Sequence, residues 1–461
     1  MGAGTGSPSI LTDLANAPAL VDAEVVLHDV DRPRAEAMAE LGAPRSRAAA
    51  GIGLAVRAEP DRRKALAAAD FVVTAFSVGG FASMRHDLEV PERYGVVQPV
   101  GDSVGPGGIM RALRSIPVLL DVARDVEDVA PGALLLNVTN PLTALCRAVT
   151  KALDVPVVGL CNEYVASTFV LSLLLDCGMH QIDAVLAGVN HFPIATAMTV
   201  AGEDAFPRLR ALLDDEDAQR SECWMELPEQ MAYEKVSGCE RWTKQDVLAN
   251  NAVRMELFRR FGALRLLRRP PLDGVRARLR ARARRVGTRL ARPRVPDGAP
   301  PRRCGGRRRA LRGAARRRRR AAPVPSGELV VPVIEAVVTG RARRLPVNVP
   351  NAGNVGNVPD GAVVEVMATV DSAGVRATDR AVVPGVMGEW LRRVHASQEL
   401  TVDAALRRRP RPRVPGDAPG PALRAPLLRR RASTMTGRPA AARRRPGSRG
   451  GSPECDSPTC V

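Results

Sequence analysis

The sequence predicts an α/β protein built on a doubly wound parallel sheet, and three observations carry that expectation. Short apolar runs alternate with segments of helical period over the first 160 residues. Several of those runs, "DFVVTAF", "ALLLNV" and "VPVVGL", are continuous rather than alternating, the pattern of strands buried on both faces. A glycine-rich stretch, Gly2-Ala3-Gly4-Thr5-Gly6-Ser7, stands before the first helical segment, and an acid, Asp29, lies 27 residues after Gly2.

Taken in order, residues 8–18 read as a helix entered from the glycine loop. "AEVVLHDVD" reads as a strand ending near Asp29 and Asp31, and "RPRAEAMAELG" as a helix stopped by Gly42. "GLAVRAE" and "DFVVTAF" are strands, and residues 108–129 a helix. "ALLLNVTNP" and "VPVVGLC" are strands joined through a helix at "PLTALCRAVTKAL". Beyond Cys161, "EYVASTFVLSLLLDCG" reads as helix, "DAVLAGVNHF" as strand, and 226–262 as helix closed by Gly262. "VPSGELVVPVIEAVVTG" is a further helix. Turns at "NAGN" and "PDG" enclose a strand, and "MGEWLRRVHASQELTVDAAL" is a last helix. The glycine loop has no strand in front of it, so a short apolar strand is expected upstream of Gly2.

Charge divides the chain. The net charge is +19, which suggests nucleic acid at first sight. Residues 264–322 and 407–461 hold 37 of the 68 basic residues and 5 of the 49 acidic ones, all 37 of them Arg. The remainder carries 31 basic and 44 acidic residues, a net charge of −13. The two segments have neither sustained period nor aromatic residues, and they cannot bury enough apolar surface for a core. Two readings fit them: a disordered basic arm, or a GC-rich gene read out of frame. The second is preferred, because basic arms mix Lys with Arg. The expected organisation is a dinucleotide domain at 1–160, a catalytic domain at 161–263 and 323–406, and low-complexity sequence at 264–322 and 407–461. No apolar run reaches the length of a membrane span, and no signal peptide is evident. The eight cysteines lack a framework spacing, which points to free thiols in a reducing, cytoplasmic setting.

Candidate site residues gather at predicted strand ends, where open α/β sheets bind ligands. Gly2, Gly4, Thr5, Gly6 and Ser7 form a loop that brings backbone N–H groups to a pyrophosphate, with Asp29 for the ribose hydroxyls, the pattern of dinucleotide binding. Asn137 and Asn140 end a strand, where a turn or capping role is the competing reading. Asp102 lies in the glycine-rich loop "QPVGDSVGPGGI". Arg85 serves as a substrate clamp or is simply solvated. Cys161 and His191 end two buried runs and pair a soft ligand with an imidazole, half of a metal site or a structural pair.

The motifs "DFVVTAFSVGG", "ERYGVVQPVGDSVGPGGIMRALRSIPVLLDV", "LLLNVTNPLTAL", "VVGLCNE", "GVNHF", "VNVPNAGNVGNVPDGAVVEV" and "SQELTVDAAL" occur in this order. Over residues 2–263 and about 323–406 the chain resembles glycoside hydrolase family 4 and skips the two arginine segments. The resemblance implies a Rossmann-type domain followed by an α+β domain of lactate/malate-dehydrogenase type, here partly disrupted. It implies NAD as cofactor and manganese, or a similar ion, held by Cys161 and His191, with the sugar completing the shell. The implied chemistry is oxidation at C3, loss of the C2 proton, elimination of the aglycone, addition of water and return of the hydride, unlike the two-carboxylate route of most glycosidases. The implied roles are catalytic for Asp102, Tyr233 or Asp246 and substrate-binding for Arg85, Asn140 and Asn162. Glu163, in "CNEY", would repel a phosphate dianion at the site, which favours an unphosphorylated α-glycoside over a 6-phospho-β-glucoside. The expected partners are a small carbohydrate and further copies of the chain, as a dimer or tetramer, with neither specific nucleic acid nor membrane. The competing classes are an NAD-dependent dehydrogenase, an arginine-tract nucleic-acid binder and an inactive remnant of a glycosidase.

Overall fold

In the computed structural model, residues 7–20, 22–40, 54–98, 100–224, 241–266 and 326–407 are described. The expected structure of the arginine-rich stretches falls almost wholly outside them. Helix α1 (Ser7–Ala15) leads to β1 (Glu24–Leu27), α2 (residues 32–40), β2 (Ala55–Ala58), α3 (Arg62–Leu66), β3 (Phe71–Thr74), α4 (Gly80–Glu92) and α5 (Gly105–Val129). Then come β4 (Leu134–Asn137), α6 (Leu142–Ala152), β5 (Val157–Gly159) and α7 (Glu163–Leu175). Each continuous apolar run is a strand because its backbone pairs on the sheet while helices cover both faces.

Strands β3, β4 and β5 are parallel neighbours. Strands β1 and β2 form a separate parallel pair. Neither β1 nor β3 has a second strand partner among the described residues, so the sheet falls into two pieces on either side of the first-strand position in the doubly wound order.

The later part contributes strands of opposite sense. Hairpin β6 (Ile182–Val189) and β7 (Phe192–Val200) is followed by β8 (Glu203–Asp204), α8 (Ala205–Asp214) and α9 (Glu216–Gln219). Then come β9 (Glu222–Trp224), β10 (Arg241–Thr243), α10 (Lys244–Asn250), α11 (Ala252–Phe261) and β11 (Leu264–Arg265). The chain resumes with α12 (Val330–Thr339), β12 (Arg343–Pro350), β13 (Val363–Asp371), β14 (Gly374–Ala377) and α13 (Gly385–Arg407). Strand β12 runs antiparallel to β5 and to β13, which extends the central sheet to six strands in the order β14-β13-β12-β5-β4-β3.

Four expectations need correction. Strand β7 was not foreseen, although it is the antiparallel partner of β6 throughout. The stretch expected as a helix over 226–262 contains β10, α10 and α11 in its described part. The strand expected between "NAGN" and "PDG" is only an isolated bridge at Val355, and the strands flank the turns instead. Side-chain amides take the place of a ladder there: Asn351 Nδ2 donates to the carbonyls of Val355, Val358 and Pro359 at 3.0–3.2 Å. The segment 264–322 does not begin as low-complexity sequence, since Leu264 and Arg265 pair with β7 and are buried.

Helix α13 lies along α5 and α6. Arg147 Nε and Lys151 Nζ on α6 donate to Glu399 at 3.0 and 2.6 Å. Burial pushes the Glu399 carboxyl up, but the two cations outweigh it and hold it at about 2, below its ordinary 4.5. A depressed carboxyl stabilises the fold above 4.5 and loses that contribution as pH falls through about 2. Glu399→Gln should therefore flatten the acid limb of a stability-versus-pH curve across that interval. An unchanged limb would show that α13 does not dock through this pair.

Candidate active site

Gly159 closes β5 because no side chain fits: a Cβ would lie 2.2 Å from Leu142 Cδ2 and 2.9 Å from Asn348 Cβ. The close approach of β12 at this point, where Asn348 pairs with Gly159, turns the chain so that Cys161 stands at the carboxyl edge of the sheet. Asn162 and Glu163 follow, Glu163 being the first residue of α7. On the other side, Asn190 and His191 are the two central residues of the β6–β7 turn, closed by the pair Val189 and Phe192. His191 has φ +62°, a left-handed conformation costly for a residue with a Cβ. The turn is held against that cost by Asn190, whose backbone N–H donates to Thr143 Oγ1 at 3.0 Å and whose Nδ2 donates to Glu365 Oε2 at 3.2 Å.

These two turns bring together a sulfur, a nitrogen and a carboxylate oxygen. One ligand atom from each of Cys161, Glu163 and His191 lies within 4.8 Å of the others. Two donors on opposite sides of one ion stand about 4.4 Å apart at metal–ligand lengths of about 2.0–2.3 Å, so small side-chain rotations close this triangle on a cation. Thiolate, imidazole and carboxylate suit a divalent transition ion better than magnesium or calcium. The donor set therefore fits the metal that the motifs imply.

The histidine is oriented from the "GDSVG" loop. Ser103 Oγ lies 2.6 Å and Asp102 Oδ1 3.5 Å from His191 Nδ1. Burial disfavours the imidazolium, yet Asp102 and Cys161 together raise the His191 pKa well above 6.5. Burial pushes Asp102 up, but His191, Ser103 and Arg111 outweigh it and keep that carboxyl ionised. Burial pushes the Cys161 thiol up, partly offset by His191. Asn140 Nδ2 reaches Asp102 Oδ2 at 3.4 Å, so Asn140 stands at the same edge.

The other sequence candidates are placed as follows. Asn137 is fully buried and accepts from Thr74 Oγ1 at 3.0 Å while donating to the Thr139 carbonyl, a strand-end clasp. Asn162 donates to Glu328 Oε1 at 3.1 Å. Asp29 lies two residues past β1 and accepts from the Asp31 N–H, and α1 opens at Ser7 directly after the glycine run; both fit a dinucleotide. Arg85 is exposed on α4 and paired with Glu89 at 2.7 Å. Asp246, in the first turn of α10, accepts from the N–H and hydroxyl of the cap residue Thr243 and so completes a capping box, which commits its carboxylate locally. Gly2, Gly4, Thr5, Gly6 and Tyr233 lie outside the described residues.

Four polar residues near the site went unrecognised in the sequence. Ser103 touches His191. Glu365 is fully buried, and burial together with the Glu163 charge pushes it up to about 7. Asn348 donates to the Gly159 carbonyl at 3.5 Å. Arg265 is buried, donates to the His191 carbonyl at 3.3 Å and lies 5.1 Å over the Phe192 ring; burial lowers its pKa to about 10 despite the Glu163 charge. Only the alternation of "VVEVM", with an acid inside an apolar strand, gave a signal for any of them.

Comparison with known proteins agrees with this architecture. The Family 4 glycosyl hydrolase model matches residues 1–176, and the model of its C-terminal domain matches 186–411. An alpha-galactosidase of Bacillus subtilis (strain 168) is 34% identical over 203 residues, 44% of this chain and 47% of that protein. An alpha-galacturonidase of the same organism is 28% identical over 75% of each chain. The chain thus spans about half the length of the first of these relatives. The solved structure of a 6-phospho-alpha-glucosidase from gut microorganisms, in complex with NAD and Mn2+, superposes with a TM-score of 0.64 at 20% identity, covering 87% of this chain and 88% of that one. By the two matching family models and the shared fold, this chain belongs to glycosyl hydrolase family 4.

Proposed function

We propose that this protein hydrolyses the O-glycosyl bond of an unphosphorylated α-glycoside, with NAD and a divalent transition ion as cofactors. The observation that carries the reading is the convergence of Cys161 and His191 at the carboxyl edge of the sheet. Relatives named alpha-galactosidase, alpha-glucosidase and alpha-galacturonidase support the substrate class. When bound, the ion supplies Lewis acidity and NAD+ a hydride acceptor.

The chain's own residues do the rest. Cys161 and His191 hold the ion, while Ser103 and Asp102 fix the imidazole plane. Asp102 is the candidate base, because its carboxyl is ionised and lies at the same edge. In this reading Asn140 and Asn162 hydrogen-bond sugar hydroxyls, and the α1 start and Asp29 hold the dinucleotide. All four described cysteines are free thiols, which suits a reducing compartment. No described helix is long and apolar enough to cross a membrane.

The test is turnover of 4-nitrophenyl α-galactoside, α-glucoside and α-galacturonide, and of a 6-phospho-β-glucoside, with NAD+ and Mn2+ in deuterated water. The expected result is hydrolysis of an α-glycoside, deuterium at C2 of the released sugar and no net NADH. Stoichiometric NADH would identify a dehydrogenase instead. Preference for the phosphorylated substrate would overturn the substrate class.

A further inference from the structure

We infer that Glu163 is a third protein ligand of the metal, so that the ion sits in a Cys-Glu-His set rather than on Cys161 and His191 alone. The inference rests on the metal-site reading above and deepens it. Cys161 and Glu163 are separated by one residue across the β5–α7 junction, Glu163 being the first residue of α7. His191 approaches from the β6–β7 turn. Three donors from two turns thus meet within 4.8 Å.

The plainer account of Glu163 is an acid favoured at a helix N-terminus by the backbone dipole. That account asks for an exposed side chain facing water. Here the residue is half-buried, and its carboxylate lies within 4.8 Å of the ligand atoms of Cys161 and His191. Glu365 accepts from Asn190 Nδ2 at 3.2 Å, and Asp102 lies 3.5 Å from the imidazole Nδ1, so each of these acids has a partner of its own. A dication within the triangle satisfies the thiolate and the Glu163 carboxylate together. The oxygen donor also has a consequence for metal choice. A thiolate and an imidazole alone favour zinc and copper, whereas an added carboxylate moves the set toward manganese and iron.

The experiment uses the full chain and two probes, Mn2+ binding read by the electron spin resonance of the free ion and Co2+ binding read by absorption. The variants are Glu163→Gln, which keeps the shape and removes the charge, Glu163→Ala, and Cys161→Ser as the site control. Ligation predicts that both Glu163 variants weaken Mn2+ binding about tenfold or more, since even an outer-shell partner costs 10–100-fold. It also predicts that the Co2+ ligand-field bands shift while the thiolate-to-cobalt charge-transfer band persists. Weakened binding with unshifted ligand-field bands would make Glu163 a distant charge only and overturn the proposal. Unchanged affinity in Glu163→Gln would overturn it too, and both results would leave the Cys161–His191 site standing. Absence of the charge-transfer band in the unaltered protein would instead remove the site itself. Should Glu163→Ala fail to fold, Glu163→Gln decides.

Discussion

Cys161→Ser should abolish metal-dependent turnover, by more than the roughly 100-fold that loss of an outer-shell partner costs, while leaving NAD+ affinity nearly unchanged. The reason lies in which form of each side chain can bind a cation. The thiol is pushed up by burial, so without metal it keeps its proton, with His191 offsetting part of that effect. A transition ion displaces the proton and gains a thiolate, which makes binding proton-coupled. A serine hydroxyl of similar shape is far harder to deprotonate and is a harder, weaker donor. The substitution therefore removes a charge from the ligand set and little from the packing. On the proposed reading the dinucleotide is held by the start of α1 and Asp29 after β1, neither of which the substitution alters, so its affinity is expected to hold. The check is paired: NAD+ affinity by fluorescence quenching, and rate against added Mn2+ under reducing conditions. Full activity in Cys161→Ser would return the Cys161–His191 pair to a structural role. Loss of NAD+ binding along with activity would mean that the variant had failed to fold.

The sheet was legible because its strands are buried on both faces and therefore apolar throughout, as in "LLLN" of β4 and "VVG" of β5. Helices were legible where period and stop agree, as in α11, which ends at Gly262 in the left-handed conformation at φ +70°. Cys161 and His191 stood out because each ends such a run. What stayed hidden depends on tertiary approach. Strand β7, "FPIATAMTV", follows β6 after only two residues, and no Asn-Gly or Asp-Gly turn announces the hairpin. The positive φ of His191 is not foreseeable from propensity, since Asn and Gly are the residues expected there. Arg265 reads as the start of an arginine-rich stretch, yet it lies buried beneath His191, because β11 pairs with β7 at Ile194 and Ala195. Asp246 and Arg85 looked chemical in sequence but are occupied by a helix cap and a surface ion pair. Composition alone does not distinguish a committed carboxylate from an available one.

Phe258→Ala should be the most destabilising single change in the later domain, at about 3–5 kcal/mol, the usual range for emptying a buried phenylalanine site. Phe258 is fully buried on α11. Its ring meets Phe206 of α8 edge-on, with centroids 5.0 Å apart at 64°, and the Arg210 guanidinium lies 5.1 Å over it. Leu171, Leu174 and Leu209 complete the same core, and none of them is more than 1% exposed. Rigid helices on several sides cannot collapse into the space, so the cavity term adds to the lost transfer energy. A typical domain is stable by only about 5–15 kcal/mol, so the variant should show a clearly lower denaturant midpoint with an unchanged slope. Phe258→Leu keeps most of the volume and should cost less than about half as much. The effect should reach the site as well. Gly262 caps α11, and β11 follows within two residues to set Arg265 beneath the His191 carbonyl. Freeing α11 from its anchor thus loosens the support of the metal turn, and Mn2+ affinity should fall in Phe258→Ala but not in Phe258→Leu. If Phe258→Ala unfolds within about 1 kcal/mol of the unaltered protein, α11 is not anchored by this ring, and the coupling of β11 to the site loses its basis.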